Sequence, residues 1–578
     1  MSNRPKWFSS VVVICVLAFI SATLPLGSVE AQEWGPVEAT SRPDIKVNEI
    51  GGEKKEIIEE LFPYTMTPFR IENTESANLI TASTYVYSFQ NGVSLEDMSS
   101  GTTELIGGSL DDNASAVTDI GFDFWYDGAR QTQFSINANG LLKFGSTVIA
   151  TTFNNSTSGL GTTTNAPKVA PYFEDLCTGS DGKVHYKIIG SAPNRRLVVE
   201  WLNMEVPRDG GCSNAPATGV FQVWLFESES STTPGRIQFV YGPGINASDD
   251  TDLGASVGLQ SGAATNFASV TVTDDSVSYV AANNTNLPGI AAGKSYIFTP
   301  NGAPAAPTGL SFSNVTALSQ QLNWTDNATG EVGYAIFRST DGTNFSFIAQ
   351  TAADAVSFND TLLLPTTNYF YSVRAVGEGA VSSALTGSNS TNAPGSLACA
   401  GAGGNWSDSA IWGGSVPTSS DNVTIQSGCT VTVDTTTAVA LSVTINSGGT
   451  LQAVTGTTNN LTIGGSLTNN GVLDFSTNGD TTGGILTFGA GLPDATFGGS
   501  GATTDVRAIT IAKTTQAQTV ELTATNFTVQ SVNTDVAGFL TLTSGTFKIS
   551  GTFTVTNRVF TAAAYTIPAG GGFWLNNP

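Results

Sequence analysis

Three short runs near the C-terminus constrain the fold more than any other part of the chain. Val423–Ile425, Val443–Ile445 and Leu461–Ile463 share the pattern aliphatic-Thr-Ile, recur at intervals of 20 and 18 residues, and are followed by Gly428, by Gly448 and Gly449, and by Gly464 and Gly465. Ile485–Phe488, Ala508–Ile511, Leu540–Leu542 and Phe547–Ile549 echo the pattern further on. A triplet with a polar middle residue turns two apolar side chains to one face, and a strand that short cannot bury the face alone. Recurrence at this period with glycine turns is how the coils of a solenoid stack on one another. The turn Asn469–Gly471 reads as one with positive φ. The segment 397–578 is therefore expected to be a parallel β-solenoid of right-handed type. The sequence stops at Phe573–Pro578 without a polar capping coil, so further coils are expected beyond it.

The rest of the chain reads as β too. Between 77 and 300, Tyr85–Phe89, Ile120–Phe124, Phe134–Asn137, Arg196–Trp201, Phe221–Glu227 and Ile237–Tyr241 alternate apolar and polar residues between turn signals. Alternation with period two means one face packed and one face wet, and many such strands without helical stretches imply a β-sandwich. Hydrophobic residues make up 40% of the 578, enough for real cores. Only 12% are charged, so the net charge of −24 comes from few bases (23 Lys and Arg) against 47 Asp and Glu. A basic nucleic-acid footprint is absent. A single histidine, His185, excludes multi-His metal sites and most imidazole chemistry.

Arg4 and Lys6, then the apolar run 11–26, then Val29-Glu30-Ala31, read as a secretory signal peptide over 1–31, cleaved after Ala31. An uncleaved membrane anchor is the alternative, and no later run is apolar enough to span a bilayer. A charged, proline-interrupted linker over 32–76 follows, with Glu53–Leu61 able to form a short amphipathic helix. Cleavage leaves four cysteines, Cys177, Cys212, Cys399 and Cys429. An even number in an exported chain favours disulfides, and of three pairings neighbourhood favours Cys177–Cys212 and Cys399–Cys429.

Particular residues carry family resemblances. Ile120–Phe124, Asn139–Phe144, Ala170–Leu176, Val184–Tyr186, Asn194–Trp201 and Phe221–Glu227 follow an order and spacing that resemble a bacterial secreted β-sandwich related to nidogen-like modules, over 77–300. That resemblance implies an extracellular, non-catalytic module and specifies no ligand. Leu310, Leu322–Trp324, Gly333–Arg338, the turn Asp341-Gly342 and Leu364–Ala375 resemble a fibronectin type III domain over 303–394, an immunoglobulin-like sandwich. The resemblance makes Trp324 the buried core tryptophan and Tyr369 the tyrosine corner. No Arg-Gly-Asp is present. Asn405–Trp406 through Ile411–Pro417 resembles the entrance of glycine-patterned β-helices in bacterial surface proteins, with Trp406 and Trp412 capping the first coil or stacking on sugars.

Candidate chemistry is sparse. Gly254-Ala255-Ser256-Val257-Gly258 matches the GxSxG nucleophile elbow, which needs a strand-turn-helix setting and a histidine base. The surroundings read as β, and the one histidine sits in the strand-like Val184–Tyr186. Glu174 and Asp175 are adjacent, so on a strand they face opposite ways and make a poor acid–base pair. Asp111-Asp112, Asp274-Asp275 and the group Asp249, Asp250 and Asp252 are weak calcium candidates without a loop spacing of known type. In the solenoid Asp434, Asp474, Asp480 and Asp505 are scattered, and the bases Arg507, Lys513, Lys548 and Arg558 are too few for a polyanion site. The expectation is an all-β, secreted or cell-surface, adhesin-like protein without cofactor or catalysis, presenting binding surfaces on a β-rich rod to a protein or glycan partner. A carbohydrate-binding or polysaccharide-degrading protein is the alternative. Exposed Tyr172 or Trp201 in a groove would favour it.

Overall fold

In a computed structural model of the chain, the structure describes residues 85–206, 212, 215–230, 232–246, 254–454, 459–476, 483–529, 538–550, 559–560 and 565–576. The expected signal peptide and linker lie outside these residues, as do Asp249, Asp250, Asp252, Asp480 and Arg558. The fold is almost entirely β, and among the described residues no helix is long and apolar enough to cross a membrane.

The first part is a sandwich of two seven-stranded sheets. One sheet runs, in spatial order, Val86–Gln90, Ser295–Thr299, Ile237–Tyr241, Gly219–Phe226, Arg196–Glu205, Cys177–Ile189 and Thr103–Ile106. The other runs Ser276–Ser278, Phe267–Thr271, Ser256–Gln260, Lys168–Phe173, Leu142–Phe144, Ala129–Ile136 and Thr118–Tyr126. The alternating runs supply the filling. Phe124, Phe134, Ile136, Tyr172, Trp201, Phe221, Phe239 and Tyr296 interdigitate between the sheets. Trp201 stacks on Phe221 at 5.1 Å and donates its indole N–H to the Asn137 carbonyl at 2.9 Å. Truncating one such buried aromatic costs about 3–5 kcal/mol, so these residues fix how the sheets face.

The second part is a seven-stranded sandwich. Thr308–Ser313, Ser319–Thr325 and Ser357–Thr361 form one sheet, and Ser346–Gln350, Gly333–Ser339, Asn368–Val376 and Leu385–Ser390 the other. This is the fibronectin type III arrangement. Trp324 is buried against Tyr334 with ring centroids 5.3 Å apart, and the Tyr369 hydroxyl accepts the Leu364 N–H at 2.8 Å.

The third part is a parallel β-solenoid of about six turns, each complete turn contributing one strand to each of three faces. Every strand pair in it is parallel, and the inward residues Val423, Ile425, Val443, Ile445, Leu461, Ile463, Leu486, Phe488 and Ile509 stack into one core. Val443 does lie directly on Val423. Leu461 does not lie on Val443: it belongs to another face and pairs with Leu486, while Val443 is followed by Leu467, then Phe497, then Leu522. The 18-residue interval is thus a step around the coil, and only the 20-residue interval is a step along it.

The entrance to the solenoid is closed by Trp406 and Trp412. Both are buried in the core, edge to face at 5.2 Å, with the Trp412 indole N–H donated to the Trp406 carbonyl at 2.8 Å. A short 3-10 turn, Ser409–Trp412, places Trp412; Asp408 caps its start and Gly413, at φ 80°, ends it in a left-handed conformation. The disulfide Cys399–Cys429 ties this cap to the next coil.

Candidate functional site

Alternation along the first sheet of the first sandwich gives it an outer face as well as a core face. From Gly219–Phe226 come Gln222, Trp224 and Phe226; from Arg196–Glu205 come Arg196, Val198 and Glu200. Ile237–Tyr241 adds Gln238 and Val240, the residue before it Arg236, and Cys177–Ile189 adds His185, Lys187 and Ile189. At one end the segment 93–98 covers this face, packing Val93, Leu95 and Met98 on Val198, Trp224 and Val240.

Under that cover lies a polar chain. His185 Nε2 is 2.7 Å from Glu200 Oε2, and its Nδ1 is 3.0 Å from the Thr102 hydroxyl. The Gln222 amide donates to Glu200 Oε1 at 2.6 Å and to the Glu96 carbonyl at 2.9 Å. Its oxygen accepts the Glu96 N–H at 2.9 Å and the Trp224 indole N–H at 2.7 Å. The carboxylate can only accept, so the imidazole donates Nε2–H to Glu200, and the Thr102 hydroxyl completes the contact at Nδ1. The protein's one histidine ties Thr102 to Glu200, and Gln222 holds the covering segment at Glu96. Ser256, of the GxSxG motif, is buried in the opposite sheet and gives its hydroxyl to Asn284 at 2.8 Å.

At the edge of this cover, positive charge lies on aromatic rings, with Trp224 buried and Phe226, Arg196 and Arg236 half-buried. The Arg196 guanidinium lies 4.1 Å over the Trp224 ring and 5.6 Å from the Phe226 centroid; that of Arg236 lies 4.2 Å over Phe226. Ladder register places Arg196 directly opposite Phe226. Glu96 pairs with Arg196 and stands 3.8 Å from Lys187 Nζ. Among the described residues Arg236 has no ion pair of this kind, and its Nε is buried without a hydrogen-bond partner. Burial, and after it the neighbouring Arg196 charge, lower the Arg236 pKa. The two guanidinium groups share the Phe226 ring, and Glu96 serves Arg196 and Lys187, which leaves Arg236 beside positive charge. Sequence reasoning missed this site. The residues were visible, but not that 196 and 236 lie on neighbours of one strand.

The other expected residues fall as follows. Cys177 pairs with Cys212 and Cys399 with Cys429. Tyr172 and Trp201 are buried in the core, as are Trp406 and Trp412, so none offers a face to a sugar. Asp275 accepts from Lys294 at 2.6 Å and from the Tyr296 hydroxyl at 2.9 Å, and two bonds from Ser276 hold the Asp274 carboxyl below its ordinary range. Asp434 accepts the Ser407 N–H and hydroxyl; Asp474 stacks on Asp505, which accepts from Thr528 at 2.8 Å. Lys513 is buried, donating to the carbonyls of Gly464 and Leu492, and Lys548 pairs with Glu521 at 3.0 Å. Among the described residues two carboxylate groupings could hold a metal ion: Asp111, Asp112 and Asp175 in the first sandwich, and Asp326, Glu331 and Asp354 in the second. Sequence reasoning named Asp111 and Asp112 as calcium candidates and Asp175 only as the neighbour of Glu174, and it missed the Asp326 group. The Asp326 group is engaged locally, with Asp326 accepting from Ala328 and Tyr334 and Glu331 from Asp354.

A family model described as NIDO related matches residues 84–300, and a G8 domain model matches residues 411–487. No curated protein matches the chain. Solved structures similar to the middle segment include a fibronectin type III domain of human collagen XX (32% identity, 15% of this chain and 91% of that one, TM-score 0.14). A Fn3-like protein from Clostridium thermocellum shows 32% identity over 15% of this chain and 92% of that one, with a TM-score of 0.14. FN3tt shows 29% identity over 16% of this chain and 97% of that one, with a TM-score of 0.15. NIDO-related and G8 segments, a fibronectin type III arrangement and two disulfides point together to an extracellular protein with a structural or adhesion role.

Proposed function

We propose that the protein is a secreted or cell-surface adhesion protein without catalytic activity, and that it recognises an anionic glycan through the Arg196–Arg236 face of its first sandwich. The observation that carries the reading is the pair of guanidinium groups over Trp224 and Phe226, of which Arg196 is paired with Glu96 and Arg236 has no ion pair among the described residues. Guanidinium matches the planar, two-oxygen geometry of carboxylate and sulfate groups, and the rings beneath hold it in place. His185 is bound into the network beneath this face, and Asp505 into the ladder of the coils.

The test is binding of the full chain to immobilised polygalacturonate, with neutral dextran alongside. Binding to the acidic polymer alone, weakened by salt and lost in R196M/R236M, supports the reading. Equal binding to dextran, or binding untouched by the double substitution, overturns the proposed face. Cleavage of either polymer, lost on changing one carboxylate, overturns the non-catalytic assignment.

A further inference from the structure

The two sandwiches meet across a built interface. Trp125, from the first, is buried with Ala335, Phe337, Val376 and Val381 of the second and stands edge-on to Phe347 at 6.3 Å. Around this patch Arg374 pairs with Glu229 at 3.0 Å, the Gln350 amide donates to the Gly128 carbonyl at 2.9 Å, and Arg130 lies 4.7 Å over Phe347. The backbones approach closely: a β-carbon on Gly235 would stand 1.8 Å from the Gly379 carbonyl oxygen.

Beside this apolar patch sits Glu378, in the turn Gly377–Ala380, with its carbonyl accepting the Gly128 N–H at 3.0 Å. It is 5% exposed, and neither carboxylate oxygen has a hydrogen-bond partner. The titratable groups that face it are Asp127, Tyr85, Tyr126 and Tyr279 of the first sandwich. The Tyr85 and Tyr126 hydroxyls are themselves buried without side-chain partners, and the Tyr279 hydroxyl is given to the Tyr85 carbonyl at 2.8 Å. The neighbouring arginines are engaged elsewhere: Arg374 with Glu229 and Arg130 with Asp123. A buried, unpaired carboxylate next to a second carboxylate is tolerated only if its charge is removed.

We propose that this joint is proton-controlled: the two sandwiches dock tightly while Glu378 carries a proton and loosen when it ionises. Burial first and Asp127 second push Glu378 up to about 8, and burial pushes Asp127 up to about 6 against hydrogen bonds from Ser261, Gly262 and Asn266. Once undocked, Glu378 is an ordinary surface carboxylate that titrates near ~4.3. Docking therefore takes up a proton between these values. The docking constant falls by as much as about tenfold per pH unit as pH rises through that window, and it levels off above about 8. A bound cation is the competing resolution, but Asp127 is already occupied by its three partners, which leaves one free carboxylate, too few for a calcium site.

The measurement is amide hydrogen exchange of the full chain from pH 5.5 to 9, corrected for intrinsic rates, in the peptide containing Gly128. A core peptide of the Arg196–Glu205 strand serves as control. The expected result is protection at Gly128 that declines with pH up to about 8 while the control stays flat. E378Q should abolish the decline and keep the joint closed at pH 9. D127N removes the second carboxylate and should move the midpoint to lower pH, and it tests the proposal on its own if E378Q does not fold. Flat protection in the wild type, an unchanged decline in E378Q, or protection restored at pH 8.5 by calcium and removed by chelator would each overturn it.

Discussion

Lys168 offers a stringent test of how the first sandwich is held together. It opens the strand Lys168–Phe173 and is fully buried. Its ammonium donates to the carbonyls of Ser158 and Gly159 at 2.7 Å each, Thr164 at 2.9 Å and Thr162 at 3.2 Å, and to the Thr162 hydroxyl at 3.2 Å. The carbonyls belong to a loop that departs from the short helix Asn155–Ser158, so one side chain substitutes for the backbone ladder the loop lacks. Burial pushes its pKa down to about 7, which sets the desolvation cost against those oxygens. Lys168→Met keeps the stem and removes every donor. Each abandoned carbonyl costs about 1–3 kcal/mol while buried, and relief of the buried ammonium offsets several kcal/mol. The net expected loss is about 2–3 kcal/mol, or a fall in Tm of about 4–12 °C for a domain of this size. Calorimetry should show that fall, and hydrogen exchange should show it concentrated in residues 157–166. A Tm within a degree of wild type with unchanged exchange in that loop would refute the account.

Two further substitutions probe the other segments. Tyr369→Phe removes the hydroxyl that accepts the Leu364 N–H at 2.8 Å and should cost about 1–2 kcal/mol in urea unfolding of the fibronectin type III segment; an unchanged midpoint would remove the tyrosine corner from the argument. Replacing Cys399 and Cys429 by Ser opens a loop with a sequence separation of 30 and should cost about 3–4 kcal/mol in guanidinium unfolding; a loss below about 1 kcal/mol would mean that the Trp406–Trp412 pair closes the solenoid without help.

How much was legible in the sequence differs by segment, for physical reasons. In the sandwiches a strand must alternate to pack one face, so Ile120–Phe124 and Phe221–Glu227 announced themselves. In the solenoid only inward residues are constrained, while the turns between faces are free to lengthen. Val423 lies on Val443 after 20 residues, but Leu467 lies on Phe497 after 30, and a repeat that drifts this far leaves little echo. The triplet at Leu461 looked like the next coil because every face uses the same aliphatic-Thr-aliphatic solution. The arginine face was hidden because parity along a strand can be read locally, whereas the neighbour of that strand cannot. Glu378 was hidden for a deeper reason: between Gly377 and Gly379 it reads as an exposed turn, yet it is buried beside the first sandwich.

The scarcity of bases takes on a different meaning once their positions are known. With 23 Lys and Arg against 47 Asp and Glu, most carboxylates cannot have a cationic partner, so pairs should form where burial makes an isolated charge costly. That is the pattern seen. Arg195 pairs with the buried Glu227 and Arg338 with the buried Asp360, and Lys168 and Lys513 go to buried carbonyls. Against this use of cations as internal staples, Arg236, with no ion pair among the described residues and the Arg196 charge beside it, is the exception, and it is the place where an added anion would find the least competition. Glu378 is the converse exception: a buried acid that received no base. In a chain this short of cations, a proton is the remaining means of neutralising it, and that makes the docking of the two sandwiches answer to pH.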